Sequence, residues 1–161
     1  MKKVIVFLLA LSLLCGCTSL KETNPIVNDI AFTANIKYQK QKYVCDIQSY
    51  NDGINLIIKE PQNIEGLVFD INKNGCKMEF EGLAQSYDID LLPYNSFAQI
   101  IYDVFSEVAT QTIDINNKNC EIEGNVNNKK YVFLFSPSGL PLSLEIKDLD
   151  FYVKFSSVTI K

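Results

Sequence analysis

The chain contains no histidine, no arginine and no tryptophan. Without histidine, the commonest general base and metal ligand is missing, and no side chain changes charge near neutral pH in its ordinary state. Ser-His-Asp and Cys-His nucleophile pairs are therefore excluded. Without arginine, the planar fork that grips phosphate or carboxylate at two points is missing too. Basic charge is scarce: 15 lysines stand against 19 acidic residues, a formal net charge of −4 over 161 residues. That balance leaves no excess of cations for a phosphate backbone and argues against nucleic acid as a partner. Disordered and low-complexity classes are also excluded, since 47% of the residues are hydrophobic and only 21% are charged. The length suits one domain.

Long apolar runs are rare as well. The run from Val4 to Leu14, broken only by Ser12, follows Lys2 and Lys3. It is too short to span a hydrocarbon core of ~30 Å and reads as an export signal. Leu14, Cys15, Gly16 and Cys17 follow it. They resemble a bacterial lipobox, with a leucine three residues before the acceptor cysteine and a small residue directly before it. The resemblance implies cleavage after Gly16 and a diacylglycerol on the Cys17 sulfur. The expected organisation is a signal peptide over residues 1–16, a lipid-anchored tether over 17–28 and a β domain over 29–161. The tether is polar and contains Pro25. The expected location is the extracytoplasmic face of the cell membrane. Loss of Lys2 and Lys3 takes the formal charge from −4 to −6. Anionic lipids would repel such a body, so the acyl chains hold it, at about 0.8 kcal/mol per buried methylene.

From Ile30 onward the hydrophobic pattern has period two, the signature of half-buried strands. Ile30, Phe32, Ala34, Ile36 and Tyr38 share one face; Tyr43, Cys45 and Ile47 repeat the pattern. Asn51, Asp52 and Gly53 form a turn signal. Strands are expected over Ile54 to Lys59, Leu67 to Ile71 and Cys76 to Phe80, with Pro61 stopping the first. Phe97, Ile100, Ile101, Val104, Phe105 and Val108 then recur at helical spacing, with Asn95 or Ser96 as N-cap. Strands resume at Thr112 to Ile115, Cys120 to Val126, Tyr131 to Phe135, Leu142 to Ile146 and Phe151 to Ile160. Tyr131 to Phe135 is apolar on both faces and is expected to be a central strand covered on both sides. The fold class expected is mainly β (α+β): a single strongly curved antiparallel sheet of about ten strands, a half-barrel, with one main helix on its concave face.

A curled sheet presents a trough. Its expected lining is Phe69, Met78, Phe80, Phe133 and Leu144 from strands, with Ile101, Val104 and Phe105 from the helix. Those side chains either hold an apolar ligand or pack as a dry core. Catalysis and cofactors are not expected. Asp88 and Asp90 would share a face if their segment were a strand, yet it reads equally as a polar loop. Cys45, Cys76 and Cys120 lack metal-ligand spacing. Cys45 and Cys120 fall on apolar faces, while Cys76, beside a turn, is the more exposed candidate.

Ser138, Gly139, Leu140, Pro141, Leu142, Ser143 and Leu144 open a late strand in this export-signalled meander with a mid-chain helix. Over residues 30–161 the pattern resembles the LolA/LolB-like lipoprotein-carrier superfamily. The resemblance implies a half-barrel that binds an acyl chain or a lipoprotein. It also admits a docking lipoprotein that holds or stabilises an envelope or spore cell-wall enzyme. The acidic residues Asp70, Glu79, Glu81, Glu121 and Glu123 would favour a basic partner. The carrier's arginine latch has no counterpart, because the chain has no arginine.

Overall fold

The computed structural model describes residues 22–91, 96–114 and 120–160. The signal peptide, Cys17, the first part of the tether and the alternative cap Asn95 lie outside the described residues. The elements in chain order are β1 (Glu22–Thr23), β2 (Ile30–Tyr38), β3 (Gln41–Tyr50), β4 (Gly53–Glu60), β5 (Val68–Asn72), β6 (Gly75–Phe80) and β7 (Leu83–Tyr87). Helix α1 (Phe97–Val108) follows, then β8 (Ile113–Asp114), β9 (Glu121–Val126), β10 (Lys129–Phe135), β11 (Pro141–Ile146) and β12 (Phe151–Ile160). Short 3-10 turns cover Gln62–Ile64, Ile89–Leu91 and Lys147–Leu149.

Ten strands make one antiparallel sheet in the order β7-β6-β5-β4-β3-β2-β12-β11-β10-β9. It consists of two meanders, β2 to β7 and β9 to β12, joined side by side where β12 pairs with β2. The chain leaves the sheet at the β7 edge and re-enters at the β9 edge, so α1 must cross from one edge to the other. The helix packs against β4 and β5 on one side and β9 on the other. Phe105 of α1 also meets Phe32 of β2, Phe133 of β10 and Phe155 of β12, at ring-centroid distances of 5.6, 5.5 and 5.9 Å. A flat sheet cannot bring six strands around one helix; a right-handed twist accumulated over ten strands does. The sheet is curled but not closed.

Period-two alternation explains the core. Ile30, Phe32, Ala34, Ile36 and Tyr38 all point inward and are buried, whereas Asn35 and Lys37 are exposed. Opposite the Tyr131 ring, Gly124 supplies the space: a Cβ there would stand 2.4 Å from the tyrosine oxygen. Two expectations change. β10 lies next to the β9 edge rather than in the middle, and its outward Val132 and Leu134 are only half-buried. Their cross-strand neighbours are Glu123 and Glu145, and Glu121 and Ser143, which keep that surface wet. The second change concerns the tether.

The described part of the tether, residues 22–28, is docked rather than free. β1 pairs with β8, the Ile26 N–H donates to the Gly139 carbonyl at 2.8 Å, and Pro25 and Val27 are buried. Gly139 makes this contact: it has φ +82°, and a Cβ there would stand 2.4 Å from the Asn24 carbonyl oxygen. The glycine of the Ser138–Leu144 run is thus a seat for the N-terminal segment as well as a turn residue.

Candidate functional site

α1 starts at Ser96, whose hydroxyl accepts from the Gln99 N–H at 3.1 Å, an N-cap. Its inward face is apolar over three turns, and Ile100, Ile101, Val104 and Val108 are fully buried. Of the eight expected trough residues, Ile101, Val104 and Phe105 on the helix and Phe133 and Leu144 on the sheet belong to one buried core and are 0–3% exposed. Phe69 is 9% exposed and meets Phe97. Only Met78 and Phe80 remain half-buried. Along most of its length, therefore, the trough is filled by the protein's own helix.

The cover runs out in two places. Across one register row burial fades strand by strand: Leu56 of β4 is sealed, Met78 of β6 is half-buried and Gln85 of β7 is exposed. Leu83, on the same face, is 80% exposed. The other place is a cleft of about 270 Å³ between the second half of α1, the β3–β4 turn and the docked N-terminal segment. Val27, Ile54 and Phe105 give it apolar walls, with Tyr102 beside them, and Lys73 and Asp52 are among its polar lining residues. Ser49 lines it too; that residue is 1% exposed, and its hydroxyl has no hydrogen-bond partner among the described residues. Phe105 was legible as a site residue. Ser49 breaks the inward series Cys45, Ile47, Ser49, a signal that alternation could have flagged. Val27 was hidden in a segment read as tether.

The polar groups around α1 carry one titration signature. Gln99 is 6% exposed, donates through Nε2 to Asp103 Oδ1 at 2.8 Å, and leaves its own Oε1 without a partner among the described residues. Burial pushes the Asp103 carboxyl above its ordinary 3.8, and hydrogen bonds from Gln99 and Asn127 pull it partly back. A carboxyl with a raised folded pKa binds its proton more readily in the native state, so stability falls as pH rises from the unfolded value to the folded one, then levels off. Asp103→Asn should remove that fall. Urea midpoints of parent and variant, compared over roughly pH 4 to 7, check it: their difference should grow with pH and then plateau, and a pH-independent difference would contradict the assignment.

Two of the five acidic candidates are ion-paired in place, and a third accepts a hydrogen bond. Glu79 pairs with Lys77 at 3.1 Å, Glu123 pairs with Lys130 at 2.7 Å, and Asp70 accepts from the Tyr50 hydroxyl. Asp88 precedes the 3-10 turn Ile89–Leu91, so the strand face it would share with Asp90 is not formed; the Asp90 side chain lies outside the described residues. Cys76, expected as the more exposed thiol, is 2% exposed, because its register partner Ile71 turns it inward. Burial pushes the Cys45 thiol up to about 12 and the Cys76 thiol up to about 11. Both are poor nucleophiles. Among the described residues no cluster of three or more Cys, Asp or Glu is placed to hold a metal ion. No helix among them is long and apolar enough to cross a membrane.

No protein-family model matches the chain, and no curated protein matches it by sequence. Among solved structures it is similar to a LolA superfamily protein from Nitrosomonas europaea, at 8% identity and a TM-score of 0.42 over 86% of this chain and 88% of that one. It is also similar to a DUF1329 family protein from Desulfovibrio piger, at 9% identity and a TM-score of 0.35 over 83% of this chain and 86% of that one.

Proposed function

We propose that the protein is an envelope lipoprotein, anchored through acyl chains on Cys17, whose half-barrel takes the apolar end of a ligand into the cleft beside α1. The observation that carries this reading is the cleft itself: apolar lining from Val27, Ile54 and Phe105, and buried behind it the Ser49 hydroxyl, with no hydrogen-bond partner among the described residues. A polar group left unpaired in a buried site is costly, and a ligand atom able to pair with it offsets that cost. The volume bounds the ligand. At about 30 Å³ per water, 270 Å³ holds the end of one chain and not a whole lipid. Half a dozen buried methylenes contribute about 5 kcal/mol, which corresponds to a sub-millimolar affinity.

A fluorescent fatty-acid analogue titrated into the detergent-solubilised protein should bind saturably. Ser106→Trp, at an exposed helix position on the cleft wall, should weaken that binding at least ~10-fold, about 1.4 kcal/mol, without lowering the melting temperature. Cys17→Ser should move the protein out of the membrane fraction. Absence of saturable binding to the parent ends the ligand reading. A second reading, docking of an envelope protein such as a spore cell-wall enzyme, is favoured by the β7 edge, which pairs with no further strand among the described residues, and by the exposed Leu83. Leu83→Lys separates the two: it should leave the fatty-acid probe bound and weaken only a docked protein.

A further inference from the structure

The convex face carries a charge arrangement at odds with the rest of the chain. Register places Lys37 of β2 directly opposite Lys42 of β3 on one side and Tyr152 of β12 on the other. In the next outward row, Asn35 lies between Val44 and Lys154. These side chains border a groove of about 350 Å³ whose one acidic lining residue is Glu60. The register shift at Val44 and Cys45, where β4 carries Lys59 as an extra residue, sets Glu60 at its border. Glu145, across the register from Tyr152, does not line the groove.

Like charges set directly across a strand pair repel, and acids outnumber lysines in this protein. Two other outward lysines sit against carboxylates, Lys77 with Glu79 and Lys130 with Glu123. Lys37, Lys42 and Lys154 make no ion pair among the described residues. Three ammonium groups with one carboxylate give the groove a net charge of +2. A phosphomonoester carries about −1.5 to −2 near neutral pH, with three acceptor oxygens for ammonium donors. Tyr152, 37% exposed on the floor, offers a ring against which the ester's organic part can rest.

We propose that this groove is an anion site for a phosphomonoester, with Lys37, Lys42 and Lys154 holding the phosphate and Tyr152 the group it is attached to. The site lies on the face opposite the cleft and does not rest on ligand binding there. Phenyl phosphate titrated into the full chain in detergent, followed by calorimetry, should bind saturably and more weakly as salt is raised. Lys37→Gln and Lys42→Gln should each weaken binding at least ~10-fold, while Lys130→Gln, at the Glu123 pair, should not. A stability readout distinguishes a site from a merely solvated face. Without phosphate, Lys37→Gln should melt above the parent, because repulsion is relieved; with saturating phenyl phosphate the order should reverse. Displacement of the probe by glycerol phosphate marks a soluble ester as the ligand, and stronger displacement by short-chain phosphatidic acid marks a lipid headgroup. No saturable binding, or equal binding by parent and the Lys37→Gln/Lys42→Gln double variant, overturns the proposal.

Discussion

Phe105→Ala is expected to lower the free energy of unfolding by about 3–5 kcal/mol, the range for an aromatic ring removed from a packed core. The melting temperature should fall by about 10 °C in a protein of this size. The reason lies in what surrounds the ring: Phe32 is stacked on it at 5.6 Å, Phe133 stands at 5.5 Å, and Phe155 meets it edge-on at 5.9 Å. These three side chains come from three strands, and no single neighbour can move in to fill the space. Phe80→Ala is the matched control, because Phe80 lies on β6 where the helix gives no cover. It should cost less than about 1.5 kcal/mol. Chemical denaturation of both variants measures the contrast. Equal losses at the two positions would mean that the trough beneath α1 is open rather than filled.

Gly139→Ala is expected to cost about 3 kcal/mol, from two sources. The positive φ of +82° costs a non-glycine residue about 1–2 kcal/mol. The new Cβ would also stand 2.4 Å from the Asn24 carbonyl oxygen, so residues 24–27 must move and Val27 leaves the core. That exposure adds about 1.5 kcal/mol or more. Gly66→Ala tests the division, because Gly66 has φ +86° with nothing near its missing Cβ. It should show the conformational part alone. A protease that cuts within residues 22–28 of the Gly139 variant, and not of the parent or the Gly66 variant, would confirm undocking; equal stability of the two variants would refute it.

Sequence reading succeeded where one residue type decides the outcome. β2 was legible from end to end because Ile30 to Tyr38 alternates without a break, and α1 because its stripe and Ser96 agree on the same start. It failed where a partner strand decides. Leu83 to Tyr87 has neither β-branched residues nor a buried face, and it is a strand only because β6 turns back onto it through Glu81 and Gly82, both at positive φ. The β2–β3 turn has the same character: Gln39 and Lys40 adopt positive φ without an Asn or Gly to announce it. The candidate site was half legible. Periodicity found Phe105, but which greasy positions stay open depends on where α1 crosses, and no local pattern encodes that. The lysine groove was invisible for a related reason, since Lys37, Lys42 and Lys154 meet only through register.

The side-by-side joining of the two meanders has a consequence for assembly. Synthesis delivers β2 to β7 first, and those strands can zip up as they emerge, each on its predecessor. One flank of β2 then stays bare until Phe151–Ile160 has been made, since Ala34 waits for Phe155 across the whole intervening chain. Such a long-range pairing is slow to form, and an uncapped flank of Ile30 to Tyr38 can recruit the same segment of another nascent copy. Losing β12 would thus strip the sheet at its centre and leave two adhesive half-sheets, so this strand guards solubility during biogenesis as well as shape afterwards.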